Sequence, residues 1–447
     1  MVLQTPRASM ALLSRLRFMR LTVKSKNTGV NAYSRQKGTG PFASLISAPW
    51  PEIRPLVAAS LVYFFFFLGH GSYFTTLSPH MLYRFGDDAR YVFFTGQLLY
   101  PFGYFFAGWF SDKTRRIRSA LIAFLLLQTP FQYHLFSPDL SLMGCIASAA
   151  VTRFFFAANT QLLTIAALES LSFRGFSVSR SAGTFGFFCI QIGMLLLEMF
   201  ALSDAAPEIQ GGRGGQWGSV FMLVTALFAY LVPERRRSHT EYFFRDAFSA
   251  LKKEGFLPFF IVSFVFYFSY QVVDYYLGGY LRQAGGMSYV YGGWGLAVLV
   301  EIPLMILADR VAGRRGVRFL FLLAVMSGAI RFLILGMDAV IELPGLILFQ
   351  QLLHGIHFTG YYMGTVYLLR RNFPEHLYGT GMGIYMVVSV SAGATIGNLL
   401  TGMLLKSDSG FAGIFFVSLL LHLAVFFSFL FLSLPARSMK KEDSAHV

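Results

Sequence analysis

Little in this chain supports covalent chemistry. Cysteine occurs only twice in 447 residues, as Cys145 and Cys189. Both fall in apolar stretches, which predicts buried thiols and excludes a disulfide framework or a cysteine-held metal. Histidine occurs nine times, at positions 70, 80, 134, 239, 354, 357, 376, 422 and 446. Most are too dispersed for the histidine clusters of embedded di-iron enzymes. No Walker motif and no Gly-x-Ser-x-Gly elbow is present, so neither an ATP-driven pump nor a serine hydrolase is indicated. No enzymatic activity, cofactor or metal is expected. Charge is scarce as well: 13% of residues, about half the ~25% of soluble domains. Acidic residues are missing altogether from positions 1–50.

What the chain has instead is apolar surface. Hydrophobic residues make up 55%, Phe alone occurs 50 times, and mean hydropathy is +0.56. Water-soluble folds cannot hide that much; lipid can cover it. Twelve apolar stretches predict helices at 56–78, 91–110, 119–136, 140–167, 178–201, 217–232, 257–281, 289–308, 318–337, 343–369, 378–405 and 411–434. Each is about long enough to cross a ~30 Å hydrocarbon layer at 1.5 Å per residue.

The polar breaks between them alternate in charge. Thirty of the 37 Lys and Arg fall in the tails and every second loop, with Arg180 and Arg318 at the helix edges counted to the adjoining loops. Five (Arg84, Arg90, Arg213, Arg282, Lys406) fall in the other loops, and Arg153 and Arg331 lie inside helices. This bias predicts both termini in the cytoplasm of a cell membrane, with an organellar membrane the lesser alternative. It also explains the net charge of +15 without a nucleic-acid partner, through topology and an anionic inner leaflet. The acid-free start, with Arg7, Arg15, Arg17, Arg20, Lys24, Lys26, Arg35 and Lys37, reads as a basic cytoplasmic tail in preference to a transit peptide.

The expected organisation is a tail at 1–55, a six-helix bundle at 56–232, a linker at 233–256, a second six-helix bundle at 257–435 and a tail at 436–447. Within the linker, Tyr242 to Ala250 fits an amphipathic helix on the membrane surface. A monomer is the expected state.

An ionisable group at bilayer depth costs roughly 2.5–3.5 kcal/mol, so such groups usually face an interior and serve a purpose. Here they fall in stripes of helical spacing. One is Gln350, His354, His357 and Tyr361; another is Tyr267, Gln271, Asp274 and Gly278; a third is Arg180, Thr184, Gln191 and Glu198. Glu301 and Arg331 stand alone in their helices. Histidine titrates near pH ~6.5 and so can change charge under working conditions. His354, His357, Glu301, Asp274 and Arg331 therefore form the candidate proton-coupling set. The histidine pair also fits metal spacing, but no third ligand is evident. Arg180, Arg153, Gln191, Gln271 and Tyr361 are the candidate solute ligands; Arg153 equally fits an ion pair with Glu198. Trp294, Tyr289 and Tyr291 fit either ring stacking or an interfacial belt.

The halves echo one another. Gly108-Trp-Phe-Ser-Asp112-Lys113-Thr-Arg115-Arg116 follows the second span, and Asp309-Arg310-Val-Ala-Gly313-Arg314-Arg315 follows the eighth. Twelve helices in two halves with this loop resemble the major facilitator superfamily. Its signature is Gly-x-x-x-Asp-Arg/Lys-x-Gly-Arg-Arg/Lys. Arg115 stands where the second Gly is expected, and the second copy has one extra residue and lacks the first Gly. The resemblance implies an all-α membrane fold of two pseudo-symmetric six-helix bundles. It also implies an inner gate built on Gly108, Asp112, Lys113, Arg116, Asp309 and Arg310. Such an Asp can accept hydrogen bonds from a neighbouring helix N-terminus.

A closer resemblance is carried by Arg331, Leu353-His354-Gly355-Ile-His357, Arg370-Arg371-Asn-Phe-Pro374-Glu375, Gly379-Thr-Gly381, and Glu169 followed by Arg180-Ser-Ala-Gly183-Thr-Phe-Gly186. These are similar to the proton-symporter branch that includes lactose permease, phenylpropionate permeases and nucleoside–proton symporters. That implies solute hydrogen-bonded by Arg180 and coupling through Arg331 and His354. His357 falls where lactose permease has a protonated carboxylate, and Gln351 where it has a lysine, so His357, Glu301 or Asp274 could carry the proton. The expected function is proton-coupled symport of a sugar, nucleoside or aromatic carboxylate by alternating access. The competing readings are a transport-inactive receptor or scaffold on the same fold and an embedded enzyme.

Overall fold

Long apolar runs in lipid have no water to satisfy their backbone, so they close their hydrogen bonds within helices. In the computed structural model, residues 50–114, 116–202, 207–234, 252, 255–342, 344–373, 377–405 and 409–435 are described. Two compact units divide the chain at Arg54/Pro55. Of the first, the described part is the opening of one helix from Trp50; everything below concerns the second. Expectations for the tails and for Tyr242 to Ala250 lie outside the described residues.

The helices are α1 (Trp50–Phe85), α2 (Ala89–Thr114), α3 (Ile117–Leu135), α4 (Leu142–Ser170), α5 (Phe173–Leu197, extended by a π-turn at Glu198–Leu202) and α6 (Pro207–Ala229). The element Phe256–Arg315 breaks at Gly285 and Gly286 into α7 (256–284) and α8 (287–315). Gly286 has φ +72°, a left-handed conformation that glycine adopts without strain. Then come α9 (Val317–Ile341), α10 (Pro344–Asn372), α11 (Tyr378–Tyr385, a π segment Met386–Ser391, then Ala392–Leu405) and α12 (Gly410–Phe431). No strand occurs among the described residues. Among the described residues the fold is all-α, with twelve helices in two six-helix bundles.

Two local signals place the helix starts of the first half. Ser141 accepts from Gly144 N–H at 3.2 Å at the start of α4, and Ser172 accepts from Gly175 N–H at 3.1 Å at the start of α5; both are N-caps. The largest difference from expectation is α6, which begins ten residues before the predicted 217. Its glycines read as loop, yet they are what lets α6 press on α1 and α3. The Ser72 hydroxyl donates to the Gly214 carbonyl. A Cβ at Gly218 would meet Gln132 Nε2 and Gly69 O, each at 2.8 Å. Close packing here overrides the weak helix propensity of glycine.

By length and hydropathy alone, seven stretches among the described residues qualify as membrane spans. Of the others, α3 and α10 carry polar interior residues: Gln128 and Gln132 in α3, and Gln350, Gln351, His354 and His357 in α10. The outer surface bears exposed Phe431, Phe200, Leu227 and Tyr230, as lipid contact requires. Cys145 is buried and free; Cys189, also free, is only partly buried. That corrects the expectation of two buried thiols.

In the first half α2 and α3 pack on α4, and α3 on α6; in the second, α9 packs on α10 and α12. The halves meet along α2 with α11 and along α5 with the α7–α8 element. At Gly108 an added Cβ would lie 2.6 Å from the Gly379 carbonyl, so the α2 and α11 backbones touch.

Candidate functional site

The stripe on α5 faces α8 across the boundary between the halves. Arg180, buried, donates from Nη1 to Thr184 Oγ1 at 3.2 Å. Thr184 in turn donates to Glu301 Oε2 on α8 at 3.5 Å. The other carboxylate oxygen, Oε1, lies 3.6 Å from His354 Nε2 on α10. A single polar chain thus runs Arg180–Thr184–Glu301–His354, from the first half into the second. The guanidinium of Arg180 also lies 4.0 Å from the Phe67 ring centroid, a cation–π contact.

Behind His354 the second half holds two further polar groups. Arg331, with no exposed surface, donates from Nε to Gln350 Oε1 at 2.9 Å and from Nη2 to Gln351 Oε1 at 3.2 Å. His357 meets His422 of α12, Nε2 to Nε2, at 2.8 Å. His354, His357, Glu301 and Arg331 therefore gather in one buried region around α10. The side chains of Asp274 and Gln271 lie outside the described residues.

A narrow cleft lies between the halves, with internal room of about 10 Å³, no more than a water molecule needs. Phe74, Thr75 and Ser78 of α1, Phe93 of α2, Arg153 of α4, Gly278 of α7 and Trp294 of α8 line it. Arg153 donates to Gln97 Oε1 at 3.1 Å and stacks over Tyr100 at 4.6 Å. Trp294 is 4% exposed, so it is a wall of the cleft and no belt residue. Its ring stands edge-on to Phe74 at 5.1 Å and to His354 at 5.3 Å. One indole thus separates the cleft from the Glu301–His354 pair.

Toward the end bearing the basic loops, the halves are joined by polar contacts. Asp112 Oδ2 accepts from Thr380 N–H at 2.8 Å and from its hydroxyl at 2.5 Å. Gln161 donates to the Gly379 carbonyl at 3.0 Å. Arg370 donates to the Leu168 and Leu171 carbonyls at 3.3 and 3.2 Å, where the C-terminus of α4 favours a cation. Lys113 stacks on Trp109 at 4.8 Å. Arg116 is exposed before α3. In the second copy of the loop, Asp309 is half-buried and Arg310 exposed; among the described residues Asp309 makes no contact comparable to that of Asp112. At the other end Arg282 donates to the Pro79 carbonyl at 3.3 Å.

Two candidate ligands lie elsewhere. Gln191 donates to the Gly71 carbonyl at 3.3 Å, tying α5 to α1. Tyr361 donates to Ser263 at 2.8 Å and stacks on Phe266 at 3.6 Å, inside the second half. Neither lines the cleft. Thr184, Thr380, Gln97 and His422 were not among the candidate site residues. Thr184 had a signal, one turn after Arg180 on the same face; so did His422, a lone histidine in an apolar helix. Thr380 lies within the Gly379-Thr-Gly381 motif, which gives no hint of its partner; for Gln97 the sequence offers no signal, since its partner is distant in the chain.

The MFS_1 like family matches residues 56–417. A putative nucleoside transporter of Escherichia coli, YegT, is 24% identical over 270 residues, or 55% of this chain. The match spans 61% of that relative's length. Among solved structures, the nucleoside transporter NupG aligns with TM-score 0.65 at 14% identity, over 84% of this chain and 98% of that one. The proton:xylose symporter XylE aligns with TM-score 0.66 at 13% identity, over 85% and 96%. At these identities the structural likeness speaks for the fold.

Proposed function

This chain belongs to the MFS_1 like family and is a multi-pass integral membrane protein; on that premise we propose that it carries a small polar organic solute together with a proton, by alternating access. The observation that carries this reading is the chain Arg180–Thr184–Glu301–His354. It crosses from one half to the other one indole ring away from the narrow cleft between them. A proton added to Glu301 cancels its charge and weakens its hold on His354 and Thr184, which frees α5 to move against α8. Protonation thereby couples to the rocking of the halves.

The cleft offers aromatic edges from Phe74 and Trp294, hydroxyls from Thr75 and Ser78, and the Arg153 guanidinium. A flat ring bearing a hydroxylated sugar suits that lining. With a putative nucleoside transporter as relative, nucleosides are the first solutes to test, ahead of sugars and aromatic carboxylates. The charge bias of the loops supports cytoplasmic termini in a cell membrane. In that orientation the Asp112–Thr380 contacts latch the cytoplasmic side and the cleft faces outward. The protein acts as a monomer beside an anionic inner leaflet.

The test is uptake of labelled uridine, xylose and a phenylpropionate into proteoliposomes under a proton gradient. Wild-type protein is expected to accumulate uridine against its gradient. His354→Ala and Glu301→Gln are expected to abolish accumulation while retaining exchange. Undiminished uphill uptake in both variants would remove the coupling assignment; wild-type indifference to all three solutes would remove the solute class.

A further inference from the structure

The histidine pair deepest in the second half can be assigned hydrogen by hydrogen. His357 and His422 have no exposed surface, and their Nε2 atoms are 2.8 Å apart. Two neutral rings at that distance share one hydrogen, and which ring owns it depends on the other nitrogens. His422 Nδ1 lies 3.2 Å from the Ser418 carbonyl, which can only accept. It also lies 2.9 Å from the Ser269 hydroxyl, whose own hydrogen is directed to the Phe266 carbonyl at 3.1 Å. Both neighbours therefore require the hydrogen on His422 Nδ1. Its Nε2 is then bare in the neutral ring, and the shared hydrogen belongs to His357 Nε2. What remains is His357 Nδ1, a buried lone pair with no hydrogen-bond partner among the described residues.

We infer that His357 Nδ1 is a proton-accepting atom of the carrier, and that His422 is the positioning residue that makes it so. This deepens the transport reading and rests on it. A proton arriving at Nδ1 forms one N–H bond and breaks none within the pair. The resulting imidazolium keeps its Nε2–H bond to His422, which spreads the charge toward Ser269 and the Ser418 carbonyl. The proton comes from water or from the Glu301–His354 pair one turn earlier on α10, and it leaves from the same atom. The His357 ring is held in register because Gly328 of α9 leaves it room: a Cβ there would lie 2.5 Å from Nε2. The charged or titratable groups facing the pair are Arg331 from α9, His354 from α10 and Tyr270 from α7, whose ring lies 4.9 Å from that of His357. From α12, Ser418 faces it. Arg331 is itself held by Gln350 and Gln351.

Two substitutions separate the acceptor from mere bulk. His422→Gln keeps an oxygen to accept from His357 Nε2 and an amide to donate to Ser418. His422→Leu keeps volume and removes both. The full-length protein, labelled with 15N-histidine, is titrated toward acid, and uridine accumulation is followed against pH in proteoliposomes. In wild type and His422→Gln, His357 is expected to carry hydrogen on Nε2 and to gain its second on Nδ1. In His422→Leu the tautomers mix, and accumulation falls about tenfold with an altered pH profile, the effect of one lost buried hydrogen bond. Hydrogen found on His357 Nδ1 in the neutral wild type overturns the inference. So does an Nδ1 that stays bare down to the pH of unfolding, or a Leu variant with the wild-type profile. Equal loss in both variants marks a packing role and overturns it too. The spectra are read without any solute, so a failure of the transport reading leaves the titration of His357 still decisive.

Discussion

In the N-terminal half the buried polar interior is a ladder of amides: Asn159 donates to Gln128 at 3.0 Å, and Gln128 to Gln132 at 2.9 Å. Arg153 is held by another amide, Gln97, and His70 lies stacked on Phe156 at 4.0 Å. In the C-terminal half the equivalent volume holds Glu301 with His354, His357 with His422, and Arg331. Amides do not titrate and arginine stays protonated, whereas histidines in contact with each other or with a carboxylate can exchange protons. The difference suggests a division of labour. On the proposed function, the first half would grip solute through amides and arginine, and the second half would change charge. They communicate where Thr184 touches Glu301.

That contrast can be broken from several directions. The largest effect is expected at Arg331. Replacing it by Leu leaves the buried carbonyls of Gln350 and Gln351 without their donor, at about 1–3 kcal/mol for each orphaned group. Thermal unfolding of Arg331→Leu should fall sharply, and a wild-type melting curve would contradict the packing described here. Next is Gly108→Ala, whose methyl would press on the Gly379 carbonyl. Overpacking of about 1–3 kcal/mol would push α2 from α11, seen as a longer spin-label distance between them. Asp112→Asn should follow, loosening the same seam by about 1–2 kcal/mol as a charged acceptor becomes neutral. An unchanged distance distribution in both variants would show that this seam is no gate. The smallest effect belongs to the amide ladder. Gln132→Leu should cost about 1 kcal/mol of stability and leave the pH profile of uptake untouched. A shifted profile would dissolve the contrast between the halves.

The helices were legible because lipid makes hydropathy nearly a direct readout of span, and the in-helix charges because so few exist. α6 begins ten residues before the apolar stretch that marks it, since glycine weakens a lone helix and favours tight packing in company. The polar stripes identified which residues turn inward, but not with whom they pair. Tyr361 and Gln191 share stripes with site residues yet bond to Ser263 and to the Gly71 carbonyl. Trp294 gave an ambiguous signal, because an indole suits a membrane interface and a cleft wall equally. Asp112 could be read as a helix-end acceptor, whereas its partner Thr380, 268 residues away, could not be found from local pattern.

The division between the halves is tested most directly by Thr184→Val, which removes one hydroxyl at their junction and keeps its shape. Uridine exchange and uridine accumulation would be measured side by side in the same proteoliposomes. Exchange should continue near the wild-type rate while accumulation collapses toward the external concentration. Accumulation at the wild-type level would mean that solute and proton are linked by some route other than Arg180–Thr184–Glu301–His354.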